Sequence, residues 1–224
     1  MRARERIYQG IRHGLAPRAE RQRTKTAWAS ASQNLAPAVA QLEGRARIAQ
    51  FLKSFQDMHG TYTELSNLDE LPAKLTEQLR YRNLGQSVRL GSEPDFSALD
   101  WMSIEVSNGP GRLKEPATLT RAFCASAETG TMMFLSGPQN PVTLNFLGET
   151  HFTVLKKSEI EAGFEGMWKR LRASGQDPRT VNLVTGPSRT ADIEQSLELG
   201  AHGPLVLHLF LIDDLNSRDD APQD

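Results

Sequence analysis

Cysteine is nearly absent from this sequence: 224 residues contain one, Cys124. A single thiol forms no internal disulfide, which suits a reducing, cytoplasmic setting. Nor can it hold an iron–sulfur cluster alone, because such clusters generally take four protein ligands, mostly cysteines. Long apolar runs are missing too, so no membrane span is expected. The Arg-rich start lacks the apolar core of a secretory signal and reads as a mature N-terminal arm. No G-x-G-x-x-G fingerprint occurs, so NAD is not implied. The five histidines nowhere take the close spacing, with carboxylates, of a metal site. A net charge of −1 leaves no global field that would favour nucleic acid or membrane.

What is present is an ordinary globular composition, 38% hydrophobic and 24% charged, long enough to bury a core without metals or disulfides. Charge is placed unevenly. Residues 1–25 carry eight Arg and Lys against Glu5 and Glu20, whereas the stretch from Asp213 to Asp224 is acidic. We read 1–34 as a basic helical arm and 35–224 as one α/β domain with a short acidic tail. The arm has little aromatic interleaving, so it reads as a solvated face or subunit contact, compatible with a homo-oligomer, rather than a nucleic-acid surface.

Within the domain, helical spacing appears over 37–58, with Val39, Leu42, Ala46, Ala49, Leu52 and Phe55 on one face. A second helix is capped by Ser66 or Asn67 and aligns Leu68, Leu71, Leu75 and Leu79. A third runs from a Ser158 cap to Gly175. Strand-like runs include 61–65, 87–91, 101–107, the pair around the turn at Gly130, ETHFTVLKK, a buried-type VNLVTG (181–186) and LVLHLFLID. Residues 108–116 read as a loop, and DIEQSLELG as a short helix. Strands alternating with helices argue for a mostly parallel sheet covered on both faces.

Chemistry concentrates in GPSRTADIEQSLELGAHGP, from Gly186 to Pro204. Ligands in open α/β sheets sit at the carboxyl ends of strands, and this loop follows VNLVT. Gly186 permits close backbone approach, Ser188 and Thr190 offer hydroxyls, and Arg189 offers a cationic fork. A helix N-terminus behind them, capped by Asp192, would add free amides, so the loop is read as an anion site. The same residues also suit a plain capped turn. In the turn ETGT, Glu128 is a candidate base or nucleophile flanked by Thr129, Gly130 and Thr131, although a turn cap explains it as well. His151 opens a strand. His202 and Gly203 lie between the expected helix and the last strand. His208 and Cys124 read as core residues.

The ordered set AETGT, ETH, GPSRTADIE and LGAHGP resembles the LUD domain of the LutC/YkgG family of lactate-utilisation proteins, over 101–213 and more loosely 37–100. The resemblance implies a Rossmann-like three-layer sandwich of the NagB/RpiA/CoA-transferase-like kind. It implies a non-cluster subunit of a system that oxidises L-lactate to pyruvate, with the iron–sulfur clusters on partner subunits and no cofactor of its own. Glu128, His151 and His202 would then carry catalysis. Thr129, Gly130, Thr131, Gly186, Ser188, Arg189, Thr190, Asp192 and Gly203 would bind an anionic ligand. Two other readings stay open: a stand-alone enzyme of the same fold group, performing acyl or CoA transfer or folate-type ring closure, and a non-catalytic regulatory module.

Overall fold

In the computed structural model, which describes Glu5, residues 7–9, 37–191, 197–199 and 203–215, the apolar run near the C-terminus lies inside a parallel sheet. The chain divides into units Met1–Ala36 and Pro37–Asp224. In the first, the described residues are helical and exposed.

The second unit opens with a 3-10 turn (Ala38–Gln41) and then forms α1 (Gly44–Asp57), β1 (Thr61–Leu65), α2 (Leu71–Tyr81), β2 (Ser87–Leu90) and a one-turn α3 (Pro94–Ser97). It continues with β3 (Glu105–Asn108), β4 (Glu115–Arg121), β5 (Cys124–Ser126), β6 (Thr131–Leu135), β7 (Gly148–Lys156), β8 (Ile160–Glu161) and α4 (Phe164–Ser174). β9 (Val181–Val184), β10 (Arg189–Ala191), β11 (Leu197–Leu199) and β12 (Val206–Ile212) complete it.

Six strands pair in parallel in the order β1-β12-β7-β4-β2-β3. Strand periodicity sorts their side chains onto two faces. Phe210 and Ile212 of β12, with Phe152 and Val154 of β7, pack under Leu71, Leu75 and Leu79 of α2. Leu207, Leu209 and Leu211 meet Phe51 and Phe55 of α1 and Ala125, Met132 and Phe134 of a second sheet. That mixed sheet has the order β8-β5-β6-β9, and α4 covers its outer side through Met167 and Leu171. A central parallel sheet buried on both faces is the α/β sandwich expected, and it explains why β12 has no polar alternation beyond His208.

Local chemistry accounts for the element ends. Asn67 accepts a hydrogen bond from the Asp69 amide at 2.9 Å, and Asp69 and Glu70 sit in the turn that leads into α2. α4 stops where Gly175 takes φ 68°, open to glycine without strain.

Several expectations are corrected. The buried line of α1 is Phe51, Ser54 and Phe55 with Ile48 and Leu52 beside it, not Ala46 and Ala49. Residues 115 and 116 belong to β4, because Pro116 near the strand start removes a ladder donor without stopping pairing on either side. Ser158 does not cap α4. Ile160 and Glu161 pair with Ala125 and Ser126 as β8, and the helix begins behind Gly163. β9 is an edge of the small sheet with Leu183 exposed, not a buried strand.

Of the helix expected after Thr190, the described residues Leu197–Leu199 form a strand instead. Arg189, Thr190 and Ala191 pair antiparallel with Leu199, Glu198 and Leu197. A helix this short is marginal without a packed face, whereas cross-strand pairing satisfies the same backbone groups. The helix N-terminus invoked for anion binding falls on residues 192–196, outside the described residues. Asp192 and His202 lie outside the described residues.

Candidate functional site

β7 and β12 are adjacent, and the segments that enter them carry Asn145 and Phe146 on one side and Gly203 and Pro204 on the other. The loop after β9, Thr185 to Ser188, faces these segments. A cleft of about 210 Å³ lies between, with His151 and Leu207 at its base. It thus sits at the amino ends of two strands of the parallel sheet. The expectation of a carboxyl-end site holds only for β9, which belongs to the other sheet and runs antiparallel to β6.

His151 is fully buried. Its Nε2 is 2.7 Å from Thr120 Oγ1 on β4, and the Phe134 ring lies 5.5 Å away at a tilt. Burial pushes its pKa down to about 3, so the ring is neutral. Its Nδ1 has no hydrogen-bond partner among the described residues, and neither does the buried Asn145 Oδ1. His151 and Asn145 both line the cleft, and each keeps one buried polar atom without a partner among the described residues, which carries a desolvation cost.

The loop that closes the cleft is held by specific contacts. Gly186 has φ 79°, and a Cβ there would lie 2.2 Å from the Met58 carbonyl oxygen at the end of α1, so only glycine fits. The Ser188 amide donates to the Pro204 carbonyl at 2.9 Å, and Gly203 lies against the Ser188 side chain. Thr185 is exposed on the lining, 2.6 Å from Thr131, which is 2.7 Å from Thr129. This chain of three hydroxyls joins the ETGT turn to the cleft.

The structure therefore gathers His151, Gly186, Ser188 and Gly203 around one cavity, with Thr131 and Thr129 linked behind it. Glu128 does not line it: its amide donates to the Ala162 carbonyl at 3.1 Å, and its carboxylate lies near Gly163 at the start of α4. Gly130 is not among the described residues that line the cleft either. It has φ 69°, and a Cβ would meet the Phe55 amide at 2.5 Å, so the turn is pressed onto α1. Arg189 is exposed, outside the lining, and of Thr190 the backbone pairing alone is described. No lining residue among those described carries a charge other than His151 if it were protonated.

Asn145, Thr120 and Thr185 escaped the sequence reading. Asn145 had a signal, a carboxamide between apolar neighbours in LNFLG; the two threonines had none. His208 lies on the other face of the sheet, with Nδ1 2.8 Å from Thr61 Oγ1 and Nε2 3.1 Å from Thr63 Oγ1. Burial first, then the nearby Arg82 charge, pushes its pKa down to about 3, as suits a satisfied core histidine. Cys124 is buried and its thiol is pushed up to about 12 by burial, which makes it a poor metal ligand or nucleophile. Among the described residues no group of three His, Cys, Asp or Glu could hold a metal ion, so these residues do not fit a cluster.

Residues 113–212 match the family model of the LUD domain. An uncharacterized protein of Neisseria meningitidis serogroup B is 37% identical over 107 residues, 46% of this chain and 46% of that protein. A lactate utilization protein C from Macrococcus caseolyticus is 33% identical over 92 residues, 39% of this chain and 40% of the relative. Another from Exiguobacterium is 32% identical over 101 residues, 43% and 44% of the two chains. The match thus spans less than half the length of these curated relatives. A crystal structure of a DUF162 family protein from Deinococcus radiodurans aligns with a TM-score of 0.55 at 21% identity, covering 76% of this chain and 99% of that one, which shows the shared fold. The lining of the cleft falls within the matched residues.

Proposed function

We propose that the chain is a LUD-domain protein of the lactate utilization protein C type and that it serves lactate utilisation as a ligand-holding subunit without a cluster. The observation that supports this reading is a small cleft whose polar side chains, His151, Asn145, Thr185 and Ser188, sit among apolar walls. A hydroxyl group suits such a lining, since it donates one hydrogen bond and accepts others. A 2-hydroxy acid offers such a group on a small body, and the apolar walls from Leu207, Val184 and Pro204 suit its carbon end. Its carboxylate would remain at the mouth, beside the Ser188 hydroxyl and the exposed Arg189 that follows it.

Thr120 holds one nitrogen of His151, and the ring lines the cleft. With a pKa of about 3, the ring holds a proton too weakly to be an efficient base near neutrality, where a matched pKa works best. Its part is to bind and orient a hydroxyl. Conversion of L-lactate to pyruvate releases two electrons and two protons, and iron–sulfur clusters on partner subunits would accept the electrons. The donor set of this chain supports that division, because Cys124 is buried and inert. Deleting the gene in a strain without another lactate dehydrogenase should abolish growth on L-lactate as sole carbon source. Unchanged growth would overturn the assignment.

A further inference from the structure

A second cleft, of about 190 Å³, lies at the other end of the parallel sheet. Sheet order explains why a crevice opens there. β2 and β4 are neighbours, but the chain leaves β2 outward to β3 and leaves β4 the opposite way, through the small sheet, to β7. Loops that depart in opposite directions from adjacent parallel strands leave a gap at their carboxyl ends, where open α/β sheets place ligands. Glu93 comes from the loop after β2, and Arg121 and Phe123 from the end of β4. Gln139, Asn140 and Gln176 complete the polar wall.

The walls are fixed. A Cβ on Gly91 would lie 1.8 Å from the Gln139 carbonyl oxygen, so the two loops touch backbone to backbone. Asn140 is 7% exposed, and its Nδ2 lies 3.5 Å from the Arg121 carbonyl and 3.4 Å from that of Leu135. Arg121 itself is occupied. Its Nη2 donates to Glu159 at 2.6 Å, and its Nε is 3.7 Å from Asp95. With Glu93, three carboxyl groups surround one guanidinium, so an anion entering here gains no net attraction. Burial raises the Glu93 pKa, with Arg121 opposing the rise and Asp95 adding to it. A donor brought to that carboxylate relieves its desolvation.

We propose that this crevice is a second ligand site, which takes a small non-anionic molecule whose hydroxyl or ammonium groups donate to Glu93. The volume is below the roughly 300–1,000 Å³ of sites for drug-sized ligands, which limits the occupant to a small molecule of about ten heavy atoms or fewer. The site is independent of the His151 cleft and of any role in lactate chemistry. Titrating the full chain with ribose, ethanolamine or L-lactate, followed by backbone amide NMR, separates the possibilities. Saturable shifts at Gly137 to Asn140 and Gln176 with ribose mark a polyol site, and with ethanolamine an ammonium site; L-lactate leaves those amides unmoved. Glu93→Gln should weaken the responding ligand at least about tenfold, as expected for a lost charge-assisted hydrogen bond. The half-exposed, isosteric change keeps the fold, and Gln139→Ala on the exposed rim provides a second, smaller loss. Absence of saturable shifts with both donors, saturation of these amides by L-lactate, or unchanged affinity in Glu93→Gln overturns the proposal.

Discussion

Lowering the pH from 7 to 5 should destabilise the fold through two histidines on opposite faces of one sheet. His151 and His208 are both buried, with pKa values pushed down to about 3 from an ordinary 6.5. Between those limits the unfolded chain binds protons that the folded chain refuses. Their contribution is therefore complete above the unfolded value near 6.5 and is lost progressively as the pH falls toward about 3. Each imidazole gives a slope of about 1.4 kcal/mol per pH unit, so the pair removes on the order of 4 kcal/mol by pH 5. That is a large share of the roughly 5–15 kcal/mol that holds a typical domain. Urea unfolding followed by circular dichroism at pH 7.5, 6.5, 5.5 and 5.0 measures the slope. The carboxylates titrate in wild type and variant alike, so the comparison with His208→Asn isolates one ring. The variant should be less steep by about 1.4 kcal/mol per unit. Equal slopes, or a His208 ring that protonates near pH 6.5 in the folded protein, would refute the reasoning.

Three further outcomes follow from the same contacts. Gly130→Ala combines a left-handed φ with a 2.5 Å approach to the Phe55 amide, so it should lower stability by at least about 1–3 kcal/mol, read as a drop in Tm; an unchanged Tm would contradict the packing of the ETGT turn on α1. Cys124 should resist thiol reagents at pH 7.5 until the chain is unfolded in urea, because the thiol is buried and pushed up to about 12; rapid labelling of the native protein would count against this. Arg189→Ala should leave the unfolding free energy from urea titration within about 0.5 kcal/mol of wild type, since the side chain is exposed; a larger loss would show that Arg189 pairs within the fold.

Repeating local patterns carried much of the architecture. The unbroken apolar run of β12, the leucine line of α2 and the glycine stop of α4 all follow from neighbours a few residues apart, and a parallel sheet buried on both faces follows from them. The stretch after Arg189 did not, because a short amphipathic segment suits a helix and a hairpin about equally until a partner strand is present.

The segment from Gly186 to Pro204 stood out in the sequence through its glycines, hydroxyls and arginine. Only the tertiary structure decided that Gly186, Ser188 and Gly203 face His151 while Arg189 points to solvent. Register set this arrangement: β12 beside β7 brings Leu207 level with His151, and β6 beside β9 brings Thr185 to Thr131. These pairings join residues more than fifty positions apart, which no local periodicity encodes. Asn145 and Thr120 entered the site by the same route, through the strands beside them. The residue types were written in the sequence; which end of the sheet they would meet at was settled by how the two sheets stack.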